Sequence, residues 1–368
     1  MKKNKKLAIL SIASGYGGAE RSLELLVEQW KLESDLFCFV ENYHHYKEMK
    51  KILGSDGKIY KMNDGRTLFS IIKNLFVIIK VNELEHFDYW ITNTNKSALY
   101  LTFIKILKQI PDNKMLVFLR DFQWKLKKVI FRVLSGITIA IPNIATIEYG
   151  NNKNFFSNYN ILVTGNPVRI TSTANNISAL KQGKFILLLA NIARWKGIIL
   201  ALQAYKKSGV YLNGIKLCIY GKIADNRYYD ECLKYIQDND LEDSVTISPF
   251  CTETDSLYRK CIMVLNTSIS QYGGPETFGR TIIEAWSFSK PVLTFSVGGP
   301  KYLVINGKNG FCVKEGDTDT LAEKIRLLCY DREIAYKMGI DGYNKVMTEF
   351  KADVVSKRIL NYIDNHIN

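Results

Sequence analysis

Histidine is scarce in this chain, with four in 368 residues. Apart from the adjacent His44-His45 they are scattered, so no His-based metal constellation is expected;. The seven cysteines (Cys38, Cys218, Cys232, Cys251, Cys261, Cys312 and Cys329) are odd in number and contain no Cys-x-x-Cys pair. That excludes a zinc ribbon and a disulfide framework, and they read as reduced, mostly buried thiols of a cytoplasmic protein. Long apolar runs are missing too. Residues 7–13 follow a basic start but run into Ser14-Gly15-Tyr16-Gly17-Gly18, too short and wrongly flanked for a signal peptide. Residues 68–81 are interrupted by Lys73 and Lys80 and are not expected to span a bilayer. No internal repeat or low-complexity tract is visible. Acidic residues are outnumbered, 36 against 50 Lys and Arg, for a net charge of +14. Residues 1–170 hold 25 basic and 15 acidic side chains, a net of +10, and residues 171–368 hold 25 and 21, a net of +4. A basic first half suits an anionic substrate, an anionic membrane or nucleic acid. The interleaved aromatics of an RNA reader are absent, so no nucleic acid is expected.

What is present is 47% hydrophobic residues, enough for two cores in a chain of this length. Residues 7–13 read as a strand, residues 14–18 as a glycine loop, and residues 19–31 as a helix with Leu23, Leu26, Val27 and Trp30 on one face;. Further strands are expected at 36–40, 89–92, 115–119, 137–141 and 161–163, with helices at 67–82 and 95–108. Gly165-Asn166-Pro167 closes this first domain, residues 1–169, and the Ser-, Thr- and Asn-rich stretch 170–183 reads as a linker;. A second domain, residues 180–349, opens with an apolar strand at 185–190, then a helix at 198–207. Strands follow at 216–220, 245–247, 262–266 and 291–295. Asp317-Thr318-Asp319 opens a helix as N-caps, and a last helix, 352–367 within the closing segment 350–368, returns to the first domain. Strand alternating with helix predicts an α/β fold with two mostly parallel sheets.

The densest chemistry lies between Gly273 and Gly310. Gly273-Gly274-Pro275-Glu276-Thr277-Phe278-Gly279 reads as a loop, followed by a largely buried helix from about Phe278 to Ser289;. The free N–H groups of Thr277, Phe278 and Gly279 at that helix start are expected to attract an anion. Glu276 and Glu284 stand eight residues apart, and that length of helix rises about 12 Å. The pattern fits a diphosphate flanked by two polyhydroxylated groups. Upstream, Lys196-Gly197 at a strand-to-helix junction sets an ammonium beside a phosphate. Gly15 and Gly17 mimic a dinucleotide fingerprint, but Glu20 occupies its third position and the fingerprint fails;.

Glu276 and Glu284 in this spacing, with Phe278-Gly279, Glu284-Ala285, Lys290-Pro291-Val292 and Gly298-Gly299, resemble the donor-site signature of the retaining glycosyltransferase family 4 (glycosyl transferases group 1, GT-B fold). The resemblance implies two Rossmann-like doubly wound domains facing a central cleft. It implies transfer of a sugar from a nucleoside diphosphate sugar to an acceptor hydroxyl with retention, without a protein nucleophile and with no cofactor or metal. On it, Glu276 holds donor-sugar hydroxyls, Glu284 the ribose, and Lys196 with the Thr277–Gly279 amides the diphosphate. Gly17 and Gly18 resemble the family's first glycine loop, which faces that diphosphate. The family's Arg five residues before the Lys is Asn191 here, so Arg194 becomes the candidate second cation. Glu20 and Arg120 are acceptor-side candidates, Arg120-Asp121 standing where many members carry His-Asp. Tyr220-Gly221 and residues 249–252 are candidates for the nucleobase wall. Family habit implies a glycan or lipid-linked glycan acceptor in bacterial surface polysaccharide synthesis. Residues 68–79 and 124–132 mix apolar side chains with cations, which opens a peripheral seat on the anionic inner face of the plasma membrane. Two other readings compete: a nucleotide-sugar 2-epimerase of the same architecture, against which the sparse histidines speak, and a non-catalytic basic binding protein.

Overall fold

Every strand pairing in the structure is parallel, and the strands form two sheets. The computed structural model describes residues 5–54, 58–122, 126–171, 183–249 and 253–367. In the first sheet, β1 (Lys5–Ser11), β2 (Ser34–Val40), β3 (Lys58–Lys61), β4 (Tyr89–Thr92), β5 (Met115–Phe118), β6 (Thr138–Ile141) and β7 (Asn160–Val163) run in the order β3-β2-β1-β4-β5-β6-β7. In the second, β8 (Phe185–Leu189), β9 (Lys216–Tyr220), β10 (Val245–Ser248), β11 (Cys261–Asn266), β12 (Val292–Phe295) and β13 (Gly310–Val313) run β10-β9-β8-β11-β12-β13. Both are doubly wound, Rossmann-like sheets whose order reverses beside their first strand. Strands covered on both faces need unbroken apolar runs, and all six residues of β11 are buried.

Contacts divide the chain into two units. One runs to Pro167 and takes in the chain again from Phe350, and the other spans Val168–Glu349. In the first unit, Leu23, Leu26, Val27 and Trp30 of the helix Gly18–Trp30 pack on β1 and β2. The helix Ala352–Ile367 joins that same core through Val355, Ile359, Leu360 and Ile363, and Tyr362 and Thr138 share a hydroxyl hydrogen bond at 2.7 Å. Each such fully buried apolar side chain contributes about 1.5–3 kcal/mol. The expected linker falls largely at residues 172–182, outside the described residues.

Three departures from the sequence reading have physical causes. β3 is a four-residue edge strand with Lys58 and Lys61 at its ends and only Ile59-Tyr60 between them, no apolar run to mark it. The helix Tyr43–Leu53 buries only His45 and Met49, too few for a visible stripe. β13 begins at Gly310, and Asn309-Gly310 reads in sequence as a turn, which concealed the strand;. The Asp317 prediction stands. Its carboxylate accepts from the Thr320 N–H at 2.9 Å and caps the helix Thr318–Tyr330.

Candidate active site

Ligands of doubly wound sheets sit outside the carboxyl ends of the strands, where the order reverses. In the second unit this point lies between β8 and β11. Lys196 reaches it from the β8 side and Glu276 from the β11 side, and the two form a salt bridge. Their side chains are 13% and 14% exposed. The Ser268 hydroxyl donates to the same Glu276 oxygen at 3.1 Å. Burial alone would push the Glu276 carboxyl up. The Lys196 ammonium, with hydrogen bonds from Lys196, Ser268 and Asn266, outweighs it and holds the group below its ordinary range;. Leu188, Ala190, Lys196, Asn266, Ser268 and Glu276 line a small recess here.

The backbone explains why these residues meet. After β8 the chain makes a tight turn at Arg194–Lys196, and Gly197 in the left-handed region (φ 63°) caps the helix Ile198–Ser208. A Cβ on Gly197 would sit 2.0 Å from the Thr267 carbonyl oxygen, so only glycine lets this turn press on the β11 exit. The contact is stitched by Thr267 Oγ1 donating to the Lys196 carbonyl at 3.1 Å and by the Ile269 N–H donating to the Trp195 carbonyl at 2.8 Å. On the other side, the Gly299 N–H donates to the Glu276 carbonyl at 2.7 Å. A Cβ on Gly299 would lie 2.4 Å from Phe278 Cα. The Gly298-Gly299 pair is therefore a backbone platform under the Glu276 loop.

The signature helix starts later than its sequence suggests. It spans Arg280–Ser287, with Gly279 (φ 97°) as its N-cap. Phe278 is 3% exposed and packed inward, which draws the loop on by two residues. The N–H groups of the first helical turn thus belong to Arg280, Thr281 and Ile282, not to Thr277, Phe278 and Gly279. Thr277 to Gly279 form the loop between Glu276 and the helix. Glu284, on the helix, is held on both oxygens. Arg280 donates to Oε1 from Nε and Nη2 at 3.2 and 3.0 Å, and the Tyr258 hydroxyl donates to Oε2 at 2.9 Å. Burial first, and Glu284 second, raise the Tyr258 phenol well above its ordinary range, so it remains a proton donor. Sequence reading missed Arg280 and Tyr258. Arg280 was legible, four residues before Glu284 on one helix face; Tyr258 carries no local signal.

Arg194 belongs to a neighbouring cluster. Its Nη2 donates to Glu231 at 2.5 Å, and its guanidinium lies 5.0 Å from the Tyr228 ring and 5.5 Å from the Tyr272 ring. At the end of β9, Gly221 hydrogen bonds Ser248 at 3.1 Å. Of the other nucleobase-wall candidates, Pro249 follows β10, while residues 250–252 lie outside the described residues. In the first unit, Gly17 caps the helix Gly18–Trp30, and its N–H donates to Glu20 Oε2 at 2.8 Å. Glu20 is 6% exposed and acts as part of that cap. Arg120 donates to Asn93 Oδ1 at 3.1 Å and Asn166 Oδ1 at 2.8 Å, and stacks over Phe118. It thereby bridges the exits of β4, β5 and β7. Among the described residues no three His, Cys, Asp or Glu side chains are grouped to hold a metal ion, and no helix is long and apolar enough to cross a membrane.

This architecture is shared along almost the whole chain with Anabaena Alr3699/HepE in complex with UDP-glucose. The TM-score is 0.80 at 17% identity, covering 98% of this chain and 99% of that one. Trehalose synthase of Pyrococcus horikoshii is 24% identical over 339 residues, 82% of this chain and 75% of its own length. The capsular polysaccharide biosynthesis glycosyltransferase CapM of Staphylococcus aureus is 27% identical over 169 residues, 45% of this chain and 42% of its own. The chain is a glycosyltransferase built of two Rossmann-like domains, with GT-B structural neighbours. Residues 171–345, most of the second unit, match the family model for glycosyl transferases group 1.

Proposed function

We propose that the chain transfers a sugar, with retention, from a nucleoside diphosphate sugar to a hydroxyl of a glycan or lipid-linked glycan in bacterial surface polysaccharide synthesis. The observation that carries this reading is the Lys196–Glu276 pair at the β8–β11 reversal, with Glu284 fixed eight residues further on by Arg280 and Tyr258. Glu276 receives the donor-sugar hydroxyls and Glu284 the ribose. Lys196 moves between Glu276 and the diphosphate, where its charge stabilises the leaving group. The bond from the anomeric carbon to the diphosphate oxygen breaks as the acceptor oxygen bonds to that carbon on the same face. The acceptor proton passes to the departing phosphate. Positive charge from Lys196 and from backbone N–H groups makes a divalent ion unnecessary, so EDTA should leave the rate unchanged. The first unit, with Gly17, Gly18, Glu20 and Arg120, takes the acceptor side, and Arg194 on its tyrosine shelf serves as the second donor-side cation. The similarity to CapM supports the polysaccharide setting, and the UDP-glucose complex of HepE supports a uridine donor as the first to try.

The test is thermal stabilisation by a panel of UDP-, GDP- and ADP-sugars, followed by product analysis by NMR for anomeric configuration. Glu276→Ala should lower transfer by about 10²-fold or more. Near-wild-type turnover in that variant, or an inverted product, would overturn the reading.

A further inference from the structure

The helix Leu68–Glu85 wears its apolar side chains on the outside. Leu68, Phe69, Ile72 and Phe76 are 73%, 65%, 55% and 64% exposed. Phe69, Ile72, Lys73, Phe76 and Lys80 follow the i, i+3, i+4, i+7, i+11 spacing of one helical stripe. The opposite side, with Asn74, Ile78 and Val81, faces the core. The neighbouring helix Asn95–Lys108 packs beside it and adds Ile106 and Leu107, 58% and 61% exposed. Side chains of this size are not left facing water in such a row without a partner.

Charge decides what that partner is. Residues 68–82 and 95–108 contain no acidic side chain, and neither does the next helix, Lys127–Val133, packed against Asn95–Lys108. Lys80, Lys128 and Arg132 have no acidic ion-pair partner among the described residues, and Lys73 lies 4.3 Å from the centre of the Phe69 ring. A second copy docking through the same face would bring Lys73 and Lys80 against like charges. A surface that is apolar within and negative at its boundary satisfies both features.

We propose that this face seats the first unit on an anionic lipid bilayer. Phe69, Ile72 and Phe76 enter the boundary between headgroups and acyl chains, while Lys73 and Lys80 meet lipid phosphates. The inference does not rest on the transferase reading, because binding is scored without donor or acceptor. In flotation with vesicles of 30% phosphatidylglycerol in phosphatidylcholine at low salt, the full chain should bind. Pure phosphatidylcholine, or high salt, should release it. Lys73→Glu with Lys80→Glu should weaken binding by about 30-fold or more, at about 1 kcal/mol per cation removed, and Phe69→Ser with Phe76→Ser should weaken it at all salt concentrations. All four positions are exposed, and an unchanged circular dichroism melt verifies folding. Absence of wild-type binding at low salt, or equal binding by both variants, would overturn the proposal. So would a concentration-dependent dimer that Phe69→Ser dissolves in the absence of vesicles, since the face would then belong to a second copy.

Discussion

Lys196 and Glu276 invite a double-mutant cycle, because their structural and functional roles predict opposite outcomes for the double variant. Each side chain is about one-seventh exposed and the pair is bonded directly. Glu276→Gln keeps the shape, removes the negative charge, and leaves the Lys196 ammonium in a site it shares with Leu188 and Leu265. Breaking a buried pair from one side costs about 3–5 kcal/mol, and the residual exposure places this one toward the lower end. Lys196→Met should cost a similar amount by stranding Glu276. The double variant should recover most of the loss, because an uncharged replacement for the pair leaves no stranded charge.

Native-state hydrogen exchange of the β8 and β11 amides reads this unit alone, which matters in a chain of two units. Transfer activity should behave differently. Both singles should be slow and the double no faster, since neither group is left to meet the donor. The acid limb supplies a second readout. The Glu276 carboxyl is held below its ordinary value of about 4.5 in the folded chain. Its contribution is therefore present above that value and lost as the pH falls through the lowered folded-state pKa. Glu276→Gln should flatten stability against pH only below about 4.5. Singles within about 0.5 kcal/mol of wild type, or a double variant with restored transfer, would refute the reasoning.

Tyr258→Phe removes one hydrogen bond from Glu284 and leaves Arg280 in place; a bond of about 1 kcal/mol should raise the donor KM about fivefold with little change in kcat. An unchanged KM would mean that Tyr258 does not position Glu284. Lys290 is fully buried, its Nζ has no hydrogen-bond partner among the described residues, and burial lowers its pKa. Lys290→Met should therefore stabilise the second unit by about 1–3 kcal/mol. The folded-state pKa lies below the unfolded value, so wild-type stability should gain on the variant as the pH rises toward about 10.5;. Equal stability of the two chains at all pH values would show that this amine is solvated.

The architecture was readable because both sheets write themselves as apolar strands of four to seven residues between helices. Tyr89–Thr92, Lys216–Tyr220, Asn95–Lys108 and Ala352–Ile367 fall where periodicity and caps put them. Elements stabilised by few buried side chains escaped. The helix Asn226–Asp238 rests on Tyr228, Cys232 and Ile236 alone, and the helix Arg332–Lys345 buries alanine, methionine and two glycines. Their folding is dictated by what they pack on, and a local reading has no access to that.

At the site, the legible part was the part set by backbone geometry. Gly197 and Gly299 stand where a side chain would strike the Thr267 carbonyl or the Phe278 backbone, so the pattern that marks them also marks the chain crossings that bring Lys196 to Glu276. The illegible part was set by side-chain packing. Phe278 turning inward delays the helix to Arg280. Tyr258 was equally hidden, because it reaches Glu284 from another helix, whereas Arg280 stood in plain i, i+4 spacing to Glu284 and was only passed over;. Two strand exits can be compared in the same terms. At the β8–β11 exit an ammonium meets a carboxylate that polyhydroxylated ligands can replace hydrogen bond for hydrogen bond. At the β4–β5 exit Arg120 is held by two asparagine carbonyls and an aromatic face. Arg120 also attracts the Asp121 carboxylate, so both exits hold a compensated cation. On the proposed reading, the donor diphosphate goes to Lys196.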